Sequence, residues 1–421
     1  MSRQRIIDSD PRPLMWLWAP MLCMARALMV VTLMLVVMVM LKRNGLSNTW
    51  ASVGSSLLLL PFVFRHLLRP LVMAVGARRW LILGLQVVFA LLMLGVAHHL
   101  TVRGGMTVMW VWLAFASLCA GIHDIVAADL CAEWLVGRSR QHLLVCLFFA
   151  VLAVMLGLGG SLILAGDLEV FSRHLNESWS EAFKMLAALQ VLIALACGIT
   201  MRNVGGRRLP LREACASNGA AVAQWWSRPG QWAFAMFVIV FSWHEWMVWN
   251  GVLLFLGDPG SIGGLSLGPQ EVGFAQGTMG TLAIFAGCLI GIGVVSRYGL
   301  RRCLWPMALL MTLPDAVLLL LAYVMPSHLW VVSGALIAED FFCGFGLVGA
   351  LLYILYYGRG RGMQVHDDAC VTLLSVSAML AGGMTGVLQD YFGYRGFFLI
   401  VVATALTALV ALAFLRRAAG R

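Results

Sequence analysis

The sequence predicts an all-α integral membrane protein with twelve transmembrane helices in two pseudo-symmetric six-helix bundles. Three observations predict this architecture: the composition, the spacing of the apolar runs, and a short repeat separated by about half the chain. Of the 421 residues, 61% are hydrophobic and 11% are charged, whereas soluble domains carry about 25% charged residues. The mean hydropathy is +0.90. Because so much apolar surface needs lipid as its solvent, the composition excludes a soluble enzyme, a disordered chain and a nucleic-acid-binding domain.

The apolar runs have the length and number expected of membrane helices. Spanning a bilayer takes about 20 apolar residues, so the chain has room for roughly a dozen helices. The first run is too long for the hydrophobic region of a cleaved signal peptide, and we expect it to remain as the first helix. The segments are separated by polar or Gly/Pro-rich breaks and lie at about 14–41, 49–74, 80–98, 107–133, 143–165, 183–200, 232–256, 271–295, 303–325, 329–357, 370–389 and 397–415.

The positions of the cationic side chains predict the orientation. When the apolar segments are taken as alternating spans, 22 of the 29 lysines and arginines fall on the side of the N-terminus and 6 on the other side. Cytoplasmic loops carry this excess of positive charge in membrane proteins, which also accounts for the net charge of +10. The sequence therefore predicts that both termini are cytoplasmic.

A polar stretch and a repeat predict two halves. Residues 201–231 form the longest internal polar stretch, which we interpret as a cytoplasmic linker between an N-terminal bundle, 1–200, and a C-terminal bundle, 232–421. Gly76-Ala77-Arg78-Arg79 and Gly299-Leu300-Arg301-Arg302 occupy the same turn of each half. Parallel repeats of this kind are typical of transporters. The alternative is two unrelated basic turns that both follow the charge rule.

The second copy of this turn resembles a known loop motif. The stretch from Gly287 to Arg302 is similar to G-x-x-x-D-R-x-G-x-R-R, the loop motif of the major facilitator superfamily, with Ser296 where the family has Asp. The resemblance implies the major facilitator fold and loops that lock the cytoplasmic ends of the two bundles together. The residues expected in these gating loops are Gly76, Arg78, Arg79, Ser296, Arg297, Gly299, Arg301 and Arg302.

More of the chain resembles one branch of that superfamily, the AmpG-type muropeptide permeases. The motifs occur in the family's order at 60–70, 122–129, 273–280, 339–346 and 393–399. Asp367-Asp368 stands where that branch usually has His/Gln-Tyr. The resemblance implies import of cell-wall-derived amino-sugar peptides across a bacterial inner membrane.

Charged and histidine side chains within the predicted helices are the candidate functional residues. A charge at the bilayer centre costs about 2.5–3.5 kcal/mol, so such residues face a bundle interior or a partner. A buried carboxylate exchanges protons more readily near neutral pH, and arginines can bind substrate carboxylates. We expect Arg26 and Arg65 to bind substrate and the acids to couple protons; static pairing between helices is the alternative. The candidates are Arg26, Arg65, His123, Asp124, His244, Glu245, Asp315, Glu339 and Asp340.

Segment 7 also carries a stripe of tryptophans. Trp243, Trp246 and Trp249 are spaced three residues apart and so share one side of a helix. Tryptophan faces bind sugar rings by apolar contact, and we expect Trp243 and Trp246 to contribute to an amino-sugar site. The alternative is ordinary packing together with an aromatic belt at the membrane interface.

Other function classes fit the sequence poorly. A phosphate-binding loop requires Gly-Lys-[Ser/Thr], and the two lysines, Lys42 and Lys184, follow Leu41 and Phe183. His244-Glu245 lacks the second histidine of H-E-x-x-H, because Val248 occupies that position. An integral membrane hydrolase is the distant alternative, and siderophore uptake or drug efflux is the nearer one.

The expected partners follow from this reading of the sequence. We predict a non-enzymatic, proton-coupled permease without cofactor or metal, monomeric in the lipid membrane. Its partners are protons and a small anionic amino-sugar peptide, and no nucleic acid.

Overall fold

The computed structural model describes residues 16–135, 140–201, 208–357 and 363–419. Every regular element in these ranges is a helix, as the composition predicts. The start of the chain, most of the polar break between the tenth and eleventh predicted segments, and residues 202–207 of the predicted linker lie outside these ranges.

The first half of the chain, up to residue 200, forms six successive helical segments. The second of them is broken into three short helices. The segments are α1 (Trp18–Arg43), α2 (Asn48–Leu57, Leu60–Val63 and Arg65–Ala74), α3 (Arg78–Thr101), α4 (Met106–Leu135), α5 (Gln141–Ser172) and α6 (Leu175–Thr200).

The second half begins after a helix that the sequence did not predict. This linker helix, Leu211–Trp226, follows Pro210, and Asn218 Nδ2 donates a 2.8 Å hydrogen bond to the carbonyl of His66 in α2. The remaining elements are α7 (Gln231–Gly257), α8 (Pro269–Tyr298), α9 (Leu300–Val324), α10 (Leu329–Tyr357), and the stretch Met363–Ala419, which comprises α11 (363–392) and α12 (394–419).

Two features separate the twelve predicted segments from the ten helices that are long and apolar enough to cross a membrane in the described chain. First, α2 is interrupted near Pro61, and none of its pieces is long enough alone. Second, α11 runs into α12 through Gly393, whose φ of +68° is accessible chiefly to glycine. The count of twelve spans, the two six-helix bundles and the boundaries at 200 and 232 therefore stay predictions.

The interruption in α2 leaves backbone groups that need partners inside the membrane. Ser117 of α4 donates its hydroxyl to the carbonyl of Leu58, one of the groups that the break releases. Proline is tolerated because Pro61 lies in the first turn of its short helix. The broken helix is thus held by a side chain of its neighbour.

Two helix pairs join the halves of the chain. The outer piece of α2 packs on α11, and α5 packs on α8. At the second contact, a Cβ added to Gly277 would lie 2.5 Å from the Cα of Gly159, so only glycine fits. Here "outer" means the end away from the connections that the sequence predicts to be cytoplasmic, and "inner" means the opposite end.

Three π-helical stretches lie around the centre of the molecule. They interrupt α1 at Thr32–Val36, α5 at Met155–Gly160 and α8 at Gly273–Gly280. Side chains from all three line a central cavity of about 10 Å³, which leaves room for about one water molecule.

Candidate functional site

The charged residues predicted from the sequence lie in two groups. In one group positive and negative side chains pair, and in the other acids predominate. Arg26, Arg65 and Asp124 belong to a network of alternating arginines and aspartates. His244, Glu245, Asp315, Glu339 and Asp340 lie in the second half of the chain, where acids predominate.

The first group is an arginine–aspartate chain of six side chains at the inner end. Arg26 Nε donates to Asp124 Oδ1 at 2.7 Å, and Arg65 donates to the other oxygen of Asp124. Arg65 Nε also donates to Asp368 Oδ1 at 2.5 Å. Arg69 then pairs with the second oxygen of Asp368 and donates to Asp129 at 2.9 and 3.1 Å. Every carboxylate in this chain therefore has at least one arginine.

This chain connects the two halves of the protein. Arg26 is on α1, Arg65 and Arg69 are on α2, and Asp124 and Asp129 are on α4, whereas Asp368 is on α11. The side chains of Arg65 and Asp368 are only 2% and 3% exposed. Removing one partner from a buried ion pair strands the other charge, which is strongly destabilising. The arrangement holds the inner ends of α2 and α11 together.

Two sequence predictions meet a different environment here. Arg26 and Arg65 were expected to bind substrate carboxylates, and in this conformation both are paired with carboxylates of the chain itself. His123 was grouped with Asp124, and its Nε2 lies 3.2 Å from Gln86 Nε2 on α3. The side chain of Arg65 is 2% exposed and pairs with two aspartates, whereas that of Arg26 is 28% exposed and pairs with Asp124 through Nε.

The second group is an acid cluster formed by Glu245 on α7, Asp315 on α9, and Glu339 and Asp340 on α10. These residues are 7%, 0%, 1% and 1% exposed. Within the described ranges, none of the four carboxylates forms an ion pair with a lysine or arginine. Glu339 lies close enough for its charge to interact with the other three acids.

Hydrogen bonding in the acid cluster is incomplete. Both oxygens of Asp315 and Oε1 of Glu339 have no hydrogen-bond partner. Cys343 Sγ donates to Glu245 Oε2 at 3.1 Å, and Gln276 Nε2 lies 3.0 Å from Asp340 Oδ2.

One of the candidate residues beside the acid cluster, His244, is a base. Its Nε2 lies 3.3 Å from Glu245 Oε1, yet neither ring nitrogen has a hydrogen bond.

The two groups of charges have different surroundings. In the acid cluster, each charge would lack solvation and would be repelled by its neighbours. The arginine–aspartate chain behaves in the opposite way, since its arginines stabilise the ionised carboxylates. The same residue types therefore serve different chemistry in the two halves.

Glu245, Glu339 and Cys343 also bring three potential metal-ligand atoms within 4.8 Å of one another. Structural zinc sites use four ligands in tetrahedral geometry. Three atoms at this spacing do not establish such a site, and the expected absence of a metal stays a prediction.

The tryptophan stripe divides between two environments. Trp249 lines the central cavity together with Leu35, Leu158 and Gln276. Trp243 and Trp246 are half-buried and pack against the main apolar core. The role of these two in sugar binding stays a prediction.

A polar network at the outer end was missed by the sequence reasoning. Lys42 Nζ of α1 lies 2.8 Å from Asp258 Oδ1 just after α7, and Asn48 Nδ2 of α2 donates to Asp258 Oδ2 at 2.6 Å. Tyr394 donates to the same carboxylate, and Asn48 also donates to Gln389 of α11. Asp258 is completely buried. It stands in a Gly/Pro-rich break of the sequence, which gave no signal of burial.

The predicted gating loops make contacts within their own halves. Gly76 lies between α2 and α3. Arg78 pairs with Glu133 of α4 at 2.9 Å, and Arg79 donates to the carbonyl of Gly198 in α6 at 2.7 Å.

In the second copy, the Ser296 hydroxyl donates to Ile292 in its own helix, and Arg297 stacks on Tyr298. Gly299 has a φ of +80° between α8 and α9, and Arg301 and Arg302 are exposed. The ion pairs that bridge α2 and α11 are instead those of Arg65 and Arg69 with Asp368.

Comparison with known proteins identifies transporters. No family model matches the chain. The chain is 23% identical over 366 residues to the anhydromuropeptide permease of Escherichia coli strain K12, covering 85% of this chain and 70% of the relative. The corresponding protein of Escherichia coli O157:H7 gives the same values.

Solved structures show the same fold. The nucleoside transporter NupG superposes with a TM-score of 0.66 at 11% identity, covering 96% of this chain and 98% of that one. A bacterial homologue of the human lysosomal transporter Spinster, solved in an inward-facing and unoccupied conformation, gives a TM-score of 0.62 at 14% identity, covering 96% and 97%. The resemblance expected from the sequence motifs is confirmed. The chain has the fold of these solved transporters, with ten helices in its described part that are long and apolar enough to cross a membrane, and it is similar to anhydromuropeptide permease along most of its length.

Proposed function

We propose that this protein imports anionic amino-sugar peptides by proton-coupled alternating access between two six-helix bundles, 1–200 and 232–421. The observation that carries proton coupling is the acid cluster, whose buried carboxylates have no lysine or arginine partner in the described part of the chain. The similarity to anhydromuropeptide permease supports the substrate class. The protein would work as a monomer in a bacterial inner membrane, with both termini in the cytoplasm.

Coupling follows from the surroundings of Glu339. Its oxygen lies within 4.8 Å of ligand atoms of Glu245 on α7 and Cys343 on its own helix, and its charge also interacts with those of Asp315 on α9 and Asp340. While the cluster is closed off from water, protons neutralise most of these acids. When the pathway opens to one side, hydration stabilises the ionised forms and a proton leaves. The protonation state thereby depends on which side is open.

The substrate would enter between the two groups of charges. Its carboxylates compete with Asp124 or Asp368 for Arg26 and Arg65, which weakens the contact between α2 and α11 at the inner end. Substrate binding would then favour opening toward the cytoplasm. Because each ligand changes the same equilibrium, proton and substrate movement become linked.

Transport in proteoliposomes tests this proposal. A labelled anhydro-muropeptide should accumulate under an imposed pH gradient, and an uncoupler should abolish the accumulation. Glu339→Gln should lose gradient-driven accumulation but keep substrate exchange, since it removes the titratable group and leaves the fold. Glu181→Gln, an exposed residue paired with Lys184, serves as the control.

The outcomes separate the alternatives. Accumulation that is unchanged by the uncoupler would refute proton coupling. The acid cluster would also suit a cationic substrate, which favours drug efflux as the second candidate. Transport of a lipophilic cation or a siderophore, with no transport of the muropeptide, would overturn the proposed substrate class.

A further inference from the structure

A large apolar groove lies between α2 and α4, away from both groups of charges. It has a volume of about 620 Å³, within the size range of small-molecule sites. Leu46 and Trp50 lie at its outer end, with Trp110 of α4 opposite, and Pro61 closes it near the break in α2. The Ser117 hydroxyl in its wall already donates its hydrogen bond to the Leu58 carbonyl.

The groove runs beside the break in α2, between Leu57 and Leu60. At its inner end the two helices are in contact, since a Cβ added to Gly121 of α4 would lie 2.7 Å from the Cβ of Pro61. Above the break, Gly54 allows the Trp110 ring to approach so closely that an added Cβ would lie 2.6 Å from it. Trp110 therefore narrows the groove toward its outer end, and Pro61 closes it at the inner end.

The groove opens sideways toward the membrane. Trp50 and Leu57 are 67% and 49% exposed along its rim, and no charged side chain lines it. From Trp50 to Pro61 the helix rises about 17 Å at about 1.5 Å per residue. This length matches one leaflet, which is half of the ~30 Å hydrocarbon core.

We propose that this groove binds one acyl chain of a membrane phospholipid. The lining residues offer only apolar contact, the groove is about as long as one leaflet is thick, and it opens toward the lipid. A transported amino-sugar peptide, which is polar, would leave its hydroxyl and carboxylate groups unpaired there.

The bound chain would brace the helix that carries contacts at both ends of the pathway. The outer piece of α2 holds Asn48 of the outer network, and its inner piece holds Arg65 and Arg69 of the arginine–aspartate chain. Filling the groove supports the break between these pieces. This inference does not depend on which substrate is transported.

Photolabelling of the full chain in liposomes tests the site. The probe is a phospholipid with a diazirine in the middle of one acyl chain, and adducts are mapped by mass spectrometry. We expect adducts on Trp50, Leu57 and Ala114 to exceed those on Leu195, an exposed residue of α6, by at least fivefold. Equal labelling of the two faces would overturn the proposal.

A variant pair gives a second readout. Ala114→Trp fills the exposed middle of the groove and should reduce groove adducts about tenfold. Leu195→Trp adds the same side chain on α6 and should leave them unchanged. Undiminished groove labelling in folded Ala114→Trp protein would refute the site, and if that variant does not fold, the labelling ratio in the wild-type protein decides.

Discussion

Replacing Asp368 by asparagine should open the inner end of the protein. Asp368 contacts Arg65 and Arg69 across the interface between α11 and α2. These contacts exist only while the inner end is closed, so their loss raises the free energy of the closed state alone. Removing one partner of a buried ion pair costs about 3–5 kcal/mol.

The lower end of this range applies because both arginines keep a second carboxylate, Asp124 or Asp129. About 3 kcal/mol corresponds to a roughly 100-fold change in the ratio of open to closed molecules, since each 1.4 kcal/mol is about tenfold. A protein that is mostly closed at the inner end would then populate the open state substantially.

Spin labels at Val75 and Tyr298 would report this change. Both positions are exposed at the inner end, 42% and 54% respectively, and they lie in different halves of the chain. Double electron–electron resonance should show a longer distance between the two spin labels in Asp368→Asn than in the wild-type protein. Asp367→Asn is the matched control, since Asp367 forms no ion pair within the described ranges. An unchanged distance in Asp368→Asn, or an equal change in Asp367→Asn, would refute the reasoning.

Two further variant pairs test the contrast between the charge groups and the contact between α5 and α8. Asp315→Leu should leave thermal stability unchanged or raise it, because neither carboxylate oxygen has a hydrogen-bond partner. Asp124→Leu should lower the free energy of unfolding by about 3–5 kcal/mol, because it leaves two arginines without this partner. Equal losses of stability in thermal unfolding would contradict this contrast. Gly277→Ala should destabilise the protein, since its Cβ would lie 2.5 Å from the Cα of Gly159, and Gly293→Ala, with open space around its Cβ, should not. Similar melting temperatures for these two variants would show that the glycine contact is not tight.

The acid cluster was largely predictable from the sequence. Glu245, Asp315, Glu339 and Asp340 stand in the middle of apolar segments, and burial follows directly from that position. What the segments could not show is the lack of cations around them. That property depends on which faces of α7, α9 and α10 meet, and the hydropathy pattern does not specify the rotation of a helix within a bundle.

The arginine–aspartate chain shows a different limit. The sequence marks Arg26, Arg65 and Asp124 as buried charges, and it predicts substrate binding for the two arginines and proton coupling for the acid. The partner of Arg65 on α11, Asp368, lies 303 residues away in the chain. The pair Asp367-Asp368 stood out only as a departure from the muropeptide permease motif, and no local pattern identifies a contact between such distant residues.

Composition and charge distribution alone determined that this chain is an all-helical membrane protein, because apolar segments of bilayer length must satisfy their backbone hydrogen bonds within themselves. The order of the motifs along the chain predicted its similarity to muropeptide permeases. Only the tertiary structure decided that arginines neutralise the acids of one group while those of the other remain without cations. The physical reason is that solvation by lipid acts on each segment separately, whereas charge pairing depends on side chains that folding brings together from opposite ends of the chain.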